Sequence, residues 1–193
     1  FETFGEVLQT GHGVLGTTHA ESIDALVNRV VEKGLPAYLL AEIDLVVFPE
    51  RVDGDRHVGT AVELLSERDA ARFEGSTEVI EKNGVTVHYN RVLERTSADA
   101  WTFSYRHPKL GDPTPDRGLR ALDRLADRTN RSVEAVEAEF HRKHGYVEYL
   151  VRDGISEVET LFGFLSDLRT DEAATIERIH HHRGSDRDGG SDA

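Results

Sequence analysis

The sequence predicts an α/β fold that passes into a small β-hairpin region and then a helical C-terminal region. Three observations carry this. Apolar, β-branched runs at residues 14–18 and 43–48 flank a helical stripe, and such alternation builds an α/β layer. Asn83-Gly84 stands between two strand-like runs, the strongest short-range hairpin signal. Beyond Pro115 the apolar residues recur at helical spacing as far as Ile179, which reads as amphipathic helices.

The elements follow in order. Residues 2–9 read as a helix with Phe4, Val7 and Leu8 apolar. Residues 14–18, bounded by glycines, read as a short buried strand. Ser22 is placed to cap a helix ending at Gly34, with Ile23, Leu26, Val27, Val30 and Val31 on one face. Pro36 opens a short helical turn. Residues 43–48 form a nearly continuous apolar run, expected to be a buried strand, with Asp44 near its surface end.

Asp53-Gly54 predicts a hairpin joining that strand to residues 57–64. Residues 67–75 are charged and read as exposed. Around Asn83-Gly84, residues 77–81 pair with 85–95, placing Val85, Val87, Tyr89 and Arg91 on one face. Trp101, Phe103 and Tyr105 alternate in a further strand, with Trp101 read as core.

Residues 107–115 hold three prolines and a glycine and read as a loop. Asp116 is expected to cap a helix with Leu119, Leu122 and Leu125 inward. Ser132 caps another, carrying Val133, Val136 and Phe140, which Gly145 is expected to break. Ser156-x-x-Glu159 reads as a capping box opening a helix striped by Val158, Leu161, Phe162, Leu165 and Leu168. A last helix starts at Asp171, and residues 183–193, rich in Gly, Ser and Asp, read as disordered.

The formal net charge is -13, with 31% of residues charged. A chain this acidic repels phosphate backbones, so nucleic-acid binding is not expected. Lysine occurs only at Lys33, Lys82, Lys109 and Lys143. Acid excess with scarce lysine resembles proteins of salt-loving archaea. With no cysteine, thiolate catalysis and cysteine zinc sites are excluded, and the composition suits a reducing cytoplasm. No apolar run approaches the ~20 residues of a transmembrane helix.

The densest chemical pattern is Thr10-Gly11-His12-Gly13-Val14-Leu15-Gly16-Thr17-Thr18-His19-Ala20. His12 lies near the start of the expected strand and His19 just past its end, before a helix. Ligands in α/β proteins gather at strand ends. This stretch, continued through Arg29, Leu35-Pro36 and Ile43-Asp44-Leu45-Val46-Val47, resembles the histidine box of the secretion ATPase superfamily. These are the hexameric motors of type II secretion, type IV pili and the archaellum. The resemblance is specific to about Leu65; beyond that it is looser and suggests the archaeal branch.

The resemblance implies the C-terminal half of a RecA-like P-loop ATPase domain at residues 1–66. A β-hairpin extension and loop follow at 67–115, a helical region at 116–182 and a tail at 183–193. It implies ATP with Mg²⁺, held mainly by residues upstream of Phe1, where the phosphate loop and Walker B acid belong. It implies His19 and His12 as catalytic, beside the γ-phosphate, with Gly11, Gly16, Thr17 and Arg29 on the nucleotide. The parent protein would be a cytoplasmic homo-hexamer, peripheral at the inner face of the membrane, driving a membrane platform protein. The lack of methionine and a Phe1 inside an apparent helix read as the C-terminal piece of a longer chain.

Alternatives stay open at each position. Gly11 and Gly16 also suit plain packing, and Arg29 also suits an adjacent subunit or a solvated helix face. Arg51 and Arg56 read as solvated, His141 and His144 as exposed, and His180-His181-His182 as a frayed helix end. Two other functions compete: a non-catalytic interaction module, and a metal-dependent hydrolase built on His12 and His19.

Overall fold

The computed structural model describes residues 6–7, 13–34, 36–72, 77–105 and 118–179. The chain divides into two compact units, Phe1–Asn130 and Arg131–Ala193. The fold is mixed α/β, and the sheet is antiparallel throughout.

The first unit holds helix α1 (Ile23–Glu32), a 3-10 helix (Ala37–Glu42), strands β1 (Val46–Val52) and β2 (Asp55–Leu65), and the short helix α2 (Glu67–Arg72). Strands β3 (Glu78–Lys82), β4 (Val85–Ser97) and β5 (Ala100–Phe103) follow, then helix α3 (Arg120–Thr129). The strand order is β1-β2-β4-β3, with β5 also beside β4. Both hairpins anticipated from sequence are present. Their turn residues Asp53-Gly54 and Asn83-Gly84 all have positive φ, the backbone of a type I′ turn that matches the strand twist.

One face of the sheet carries the core. Ile23, Leu26, Val27 and Val30 of α1 pack with Leu40, Phe48, Val62, Leu64, Ile80, Val87 and Tyr89. Alternation along β2 sends Glu63 to the opposite face. There its carboxylate, fully buried, accepts from the Ala121 backbone N–H at 3.1 Å. It satisfies one of the donors that a helix start leaves open. Arg120 is buried beside it, donates to the Leu64 carbonyl and pairs with Asp69 of α2. Arg124 and Arg128 both reach Asp44, at 2.9 and 3.7 Å. The acid that interrupts the apolar run before β1 therefore anchors α3.

Several expectations are corrected. Residues 14–18 form no strand: no strand of the sheet pairs with them, and Leu15 is 100% exposed. An apolar run becomes a strand only where a ladder partner exists. The run at 43–48 is not a buried strand either. β1 starts at Val46, lies at the sheet edge with Val47 exposed, and passes a bulge at Phe48/Pro49. Pro49 donates no ladder hydrogen bond, which suits an edge.

Residues 67–72 are not uniformly exposed, because α2 brings Asp69 to Arg120. The α3 stripe is rotated: Arg120 and Ala126 are buried while Leu125 is 44% exposed. The pair with Asp69 draws Arg120 inward. Trp101 is half-buried rather than core. Its indole N–H donates to the Val58 carbonyl at 2.8 Å and its ring lies 6.2 Å from His57.

The second unit contains α4 (Val133–Arg152), α5 (Val158–Thr170) and a helical stretch at 172–179. Ser132 caps α4, accepting from the Ala135 N–H at 3.2 Å. Gly145 does not break α4, which runs through it; a lone glycine costs only about 1 kcal/mol in a helix. The break comes at Gly154, with φ +63°. There Gly154 N–H bonds to Val151 C=O and Ile155 N–H to Leu150 C=O, the paired bonds of a Schellman cap.

Ser156 does not cap α5. Glu157 takes the N-cap position, with no side-chain bond to the backbone. Phe164 of α5 meets Tyr146 and Tyr149 of α4, with ring centroids 6.4 and 5.6 Å apart. Glu172 accepts from Arg142 and from Tyr146 Oη, tying the last helical stretch to α4. His141 and His144 are half-buried rather than exposed, since α4 turns part of that face toward its neighbours. Asp116, the loop at 107–115, the histidines at 180–182 and the tail at 183–193 lie outside the described residues.

Candidate functional site

Among the sequence-anticipated residues, His19, Gly16, Thr17 and Arg29 are described; Gly11 and His12 lie outside the described residues. Residues 13–19 are exposed and belong to no helix or strand. Ala20 begins the anchored part, packing against the core. Ser22 then caps α1, its hydroxyl accepting from the Ala25 N–H at 3.2 Å. The apolar face of α1, with Val27 wholly buried, fixes the helix on the sheet.

Arg29 links these parts. From the last turn of α1 its Nη1 donates to the His19 carbonyl at 3.1 Å. A guanidinium one helix length away thus holds the backbone of the histidine, not its ring. The imidazole is exposed and has no hydrogen-bond or ion-pair partner among the described residues, and Thr17, two residues earlier in the chain, is exposed too. The Arg29 Nε, by contrast, is closed off from solvent without a hydrogen-bond partner among them.

This segment exposes an imidazole and a hydroxyl two residues apart in the chain, ahead of the N-terminal end of α1. Such groups suit the oxygens of an anion. They are a poor set for a metal, and no group of three or more metal-ligating side chains gathers among the described residues. Glu21 and Asp24 flank the helix start and oppose an anion there. A hydrogen bond joins Arg29 to His19, and among the described residues none joins either of them to Gly16 or Thr17.

Sequence reasoning missed the buried polar cluster of Glu63, Asp69 and Arg120. Ser66 completes it: its Oγ donates to the Asp69 carboxylate at 2.6 Å and accepts from the Asp69 N–H at 3.2 Å. One signal was present, a lone glutamate inside the apolar run Ala61-Val62-Glu63-Leu64-Leu65. A charge at such a position is tolerated only when it is paired or hydrogen-bonded. The cluster's bonds go to backbone and to helix ends, so its evident work is to hold α3 on the sheet.

No family model and no curated protein matches the sequence. No helix among the described residues is long and apolar enough to cross a membrane.

Proposed function

We propose that this chain is the C-terminal part of a hexameric ATPase that powers pilus or archaellum assembly or type II secretion. One observation carries the reading: the Thr-Gly-His-x-x-x-Gly-Thr-x-His-Ala pattern at residues 10–20 leads directly into a capped helix whose Arg29 holds the His19 backbone. The exposed imidazole and the exposed hydroxyl two residues earlier are groups that suit phosphate oxygens, which is the chemistry this reading requires.

In this account ATP with Mg²⁺ supplies the phosphoryl group and its charge neutralisation, and residues outside this chain hold most of it. His19 donates a hydrogen bond toward the terminal phosphate. A donor preorganised against developing charge is worth ~3–4 kcal/mol. Arg29 orients that donor through the carbonyl, and α1 transmits the position to the sheet. The motor is a homo-hexamer at the inner face of the membrane, acting on a membrane platform protein.

The test compares steady-state phosphate release from the full-length protein and from these 193 residues. The full-length protein is expected to hydrolyse ATP and the isolated chain to release none above a blank, because the phosphate loop supplies most of the grip. Turnover by the isolated chain would overturn this reading in favour of a self-contained hydrolase.

A further inference from the structure

Helix α5 carries apolar residues on two faces. One face meets α4 through Phe164. The other presents Val158, Phe162 and Leu165, which are 63%, 66% and 47% exposed, and no residue of α5 is buried. Successive spacings of four and three residues, continued by Arg169, are those of a coiled-coil seam. A seam on one helix needs a second helix.

The charges along the seam choose between partners. At its N-terminal end stands Glu159; at its C-terminal end stands Arg169. Neither has an ion-pair partner among the described residues, whereas Asp167 is taken by Arg178 and Glu157 by Thr160. A stripe acidic at one end and basic at the other complements itself when reversed. It complements neither an anionic membrane nor a uniformly basic peptide.

We propose that α5 pairs antiparallel with α5 of a second copy of this chain. The two-fold arrangement sets Phe162 against Leu165 of the other copy and Val158 against the stem of its Arg169. The guanidinium then reaches Glu159. This is an isologous contact, in which each residue of the seam recurs on both sides. It is independent of the nucleotide reading, since no residue of the seam belongs to the His19 segment.

Sedimentation equilibrium of the 193-residue chain tests the pairing at about 0.15 M salt, where the Debye length of ~8 Å screens the general repulsion but not contacting pairs. The chain is expected to show a concentration-dependent monomer–dimer equilibrium. Phe162→Glu should weaken it about tenfold or more, as loss of a central aromatic anchor does. Arg169→Glu should weaken it less, and Glu159→Arg combined with Arg169→Glu should restore it. All these side chains are exposed, so circular dichroism should show folding unchanged.

The chain has no cysteine, so geometry can be read directly. A mixture of Phe162→Cys and Leu165→Cys chains should form a disulfide between copies, while Phe162→Cys alone should not. A strictly monomeric chain, a dimer indifferent to Phe162→Glu, or crosslinking by Phe162→Cys alone would each overturn the proposal. So would a dimer that appears only after residues 183–193 are deleted, because the tail would then be the natural cover of the seam.

Discussion

The two units bury their residues in different ways. In the first, a sheet takes α1 on one face and α3 on the other, and Val27 and Leu64 are both at 0% exposure. In the second, Val136, Thr175 and Ile179 are buried but α5 buries nothing fully, and the unit is laced by exposed or half-exposed ion pairs such as Arg142–Glu172 and Arg178–Asp167. Exposed pairs contribute ~1 kcal/mol or less each, while a fully buried leucine contributes several. The first unit should therefore be the rigid body that positions His19, and the second the readily remodelled one.

That contrast is sharpest at the buried polar cluster. Arg120→Ala removes the cation from Asp69 and strands it in a half-closed site, and should destabilise the first unit by about 3–5 kcal/mol. Leu64→Ala, which opens a cavity under α1, should cost about 2–5 kcal/mol. Urea unfolding read at Trp101, the one tryptophan, measures both in the first unit. If either variant unfolds with the parent midpoint, the two units do not differ as described.

Smaller effects belong to the second unit. Gly154→Ala forces a side chain into the left-handed backbone at φ +63° and should cost ~1 kcal/mol, read as loss of helicity on heating. Glu139 gives a pH signature. Hydrogen bonds from Lys143, then Arg131, pull its carboxyl from 4.5 down to about 2. Its folded value is depressed, so its contribution is complete above the unfolded value near 4.5 and is lost as pH falls toward 2. Solvent screening limits this to under ~1 kcal/mol. Glu139→Gln should flatten that part of the acid unfolding curve; an unchanged curve would show that the pair does not hold in solution.

What the sequence revealed followed from local rules. Paired positive-φ residues at Asp53-Gly54 and Asn83-Gly84, the Ser22 and Ser132 caps and the α1 stripe are each decided within a few residues. What it hid depended on partners far along the chain. Residues 14–18 look like a strand until the ladder is sought. Leu125 looks inward until Arg120, drawn to Asp69, rotates α3. For the candidate site, the motif and its continuation named His19, Thr17 and Arg29 as candidates, and no more than that was legible. That Arg29 serves the His19 carbonyl was not, because a bond across ten residues leaves no periodic trace.

The proposed function requires that His19 act on phosphate chemistry rather than on folding. The most direct test measures nucleotide affinity and turnover side by side in full-length protein carrying His19→Ala, with the hexamer checked by sizing. Because the imidazole is exposed and the Arg29 bond runs to the backbone, the substitution should leave the fold intact. Affinity should stay within about tenfold, or ~1.4 kcal/mol, while hydrolysis falls about a hundredfold or more. Unchanged turnover in an intact hexamer would contradict the account and leave His19 a bystander on an exposed segment.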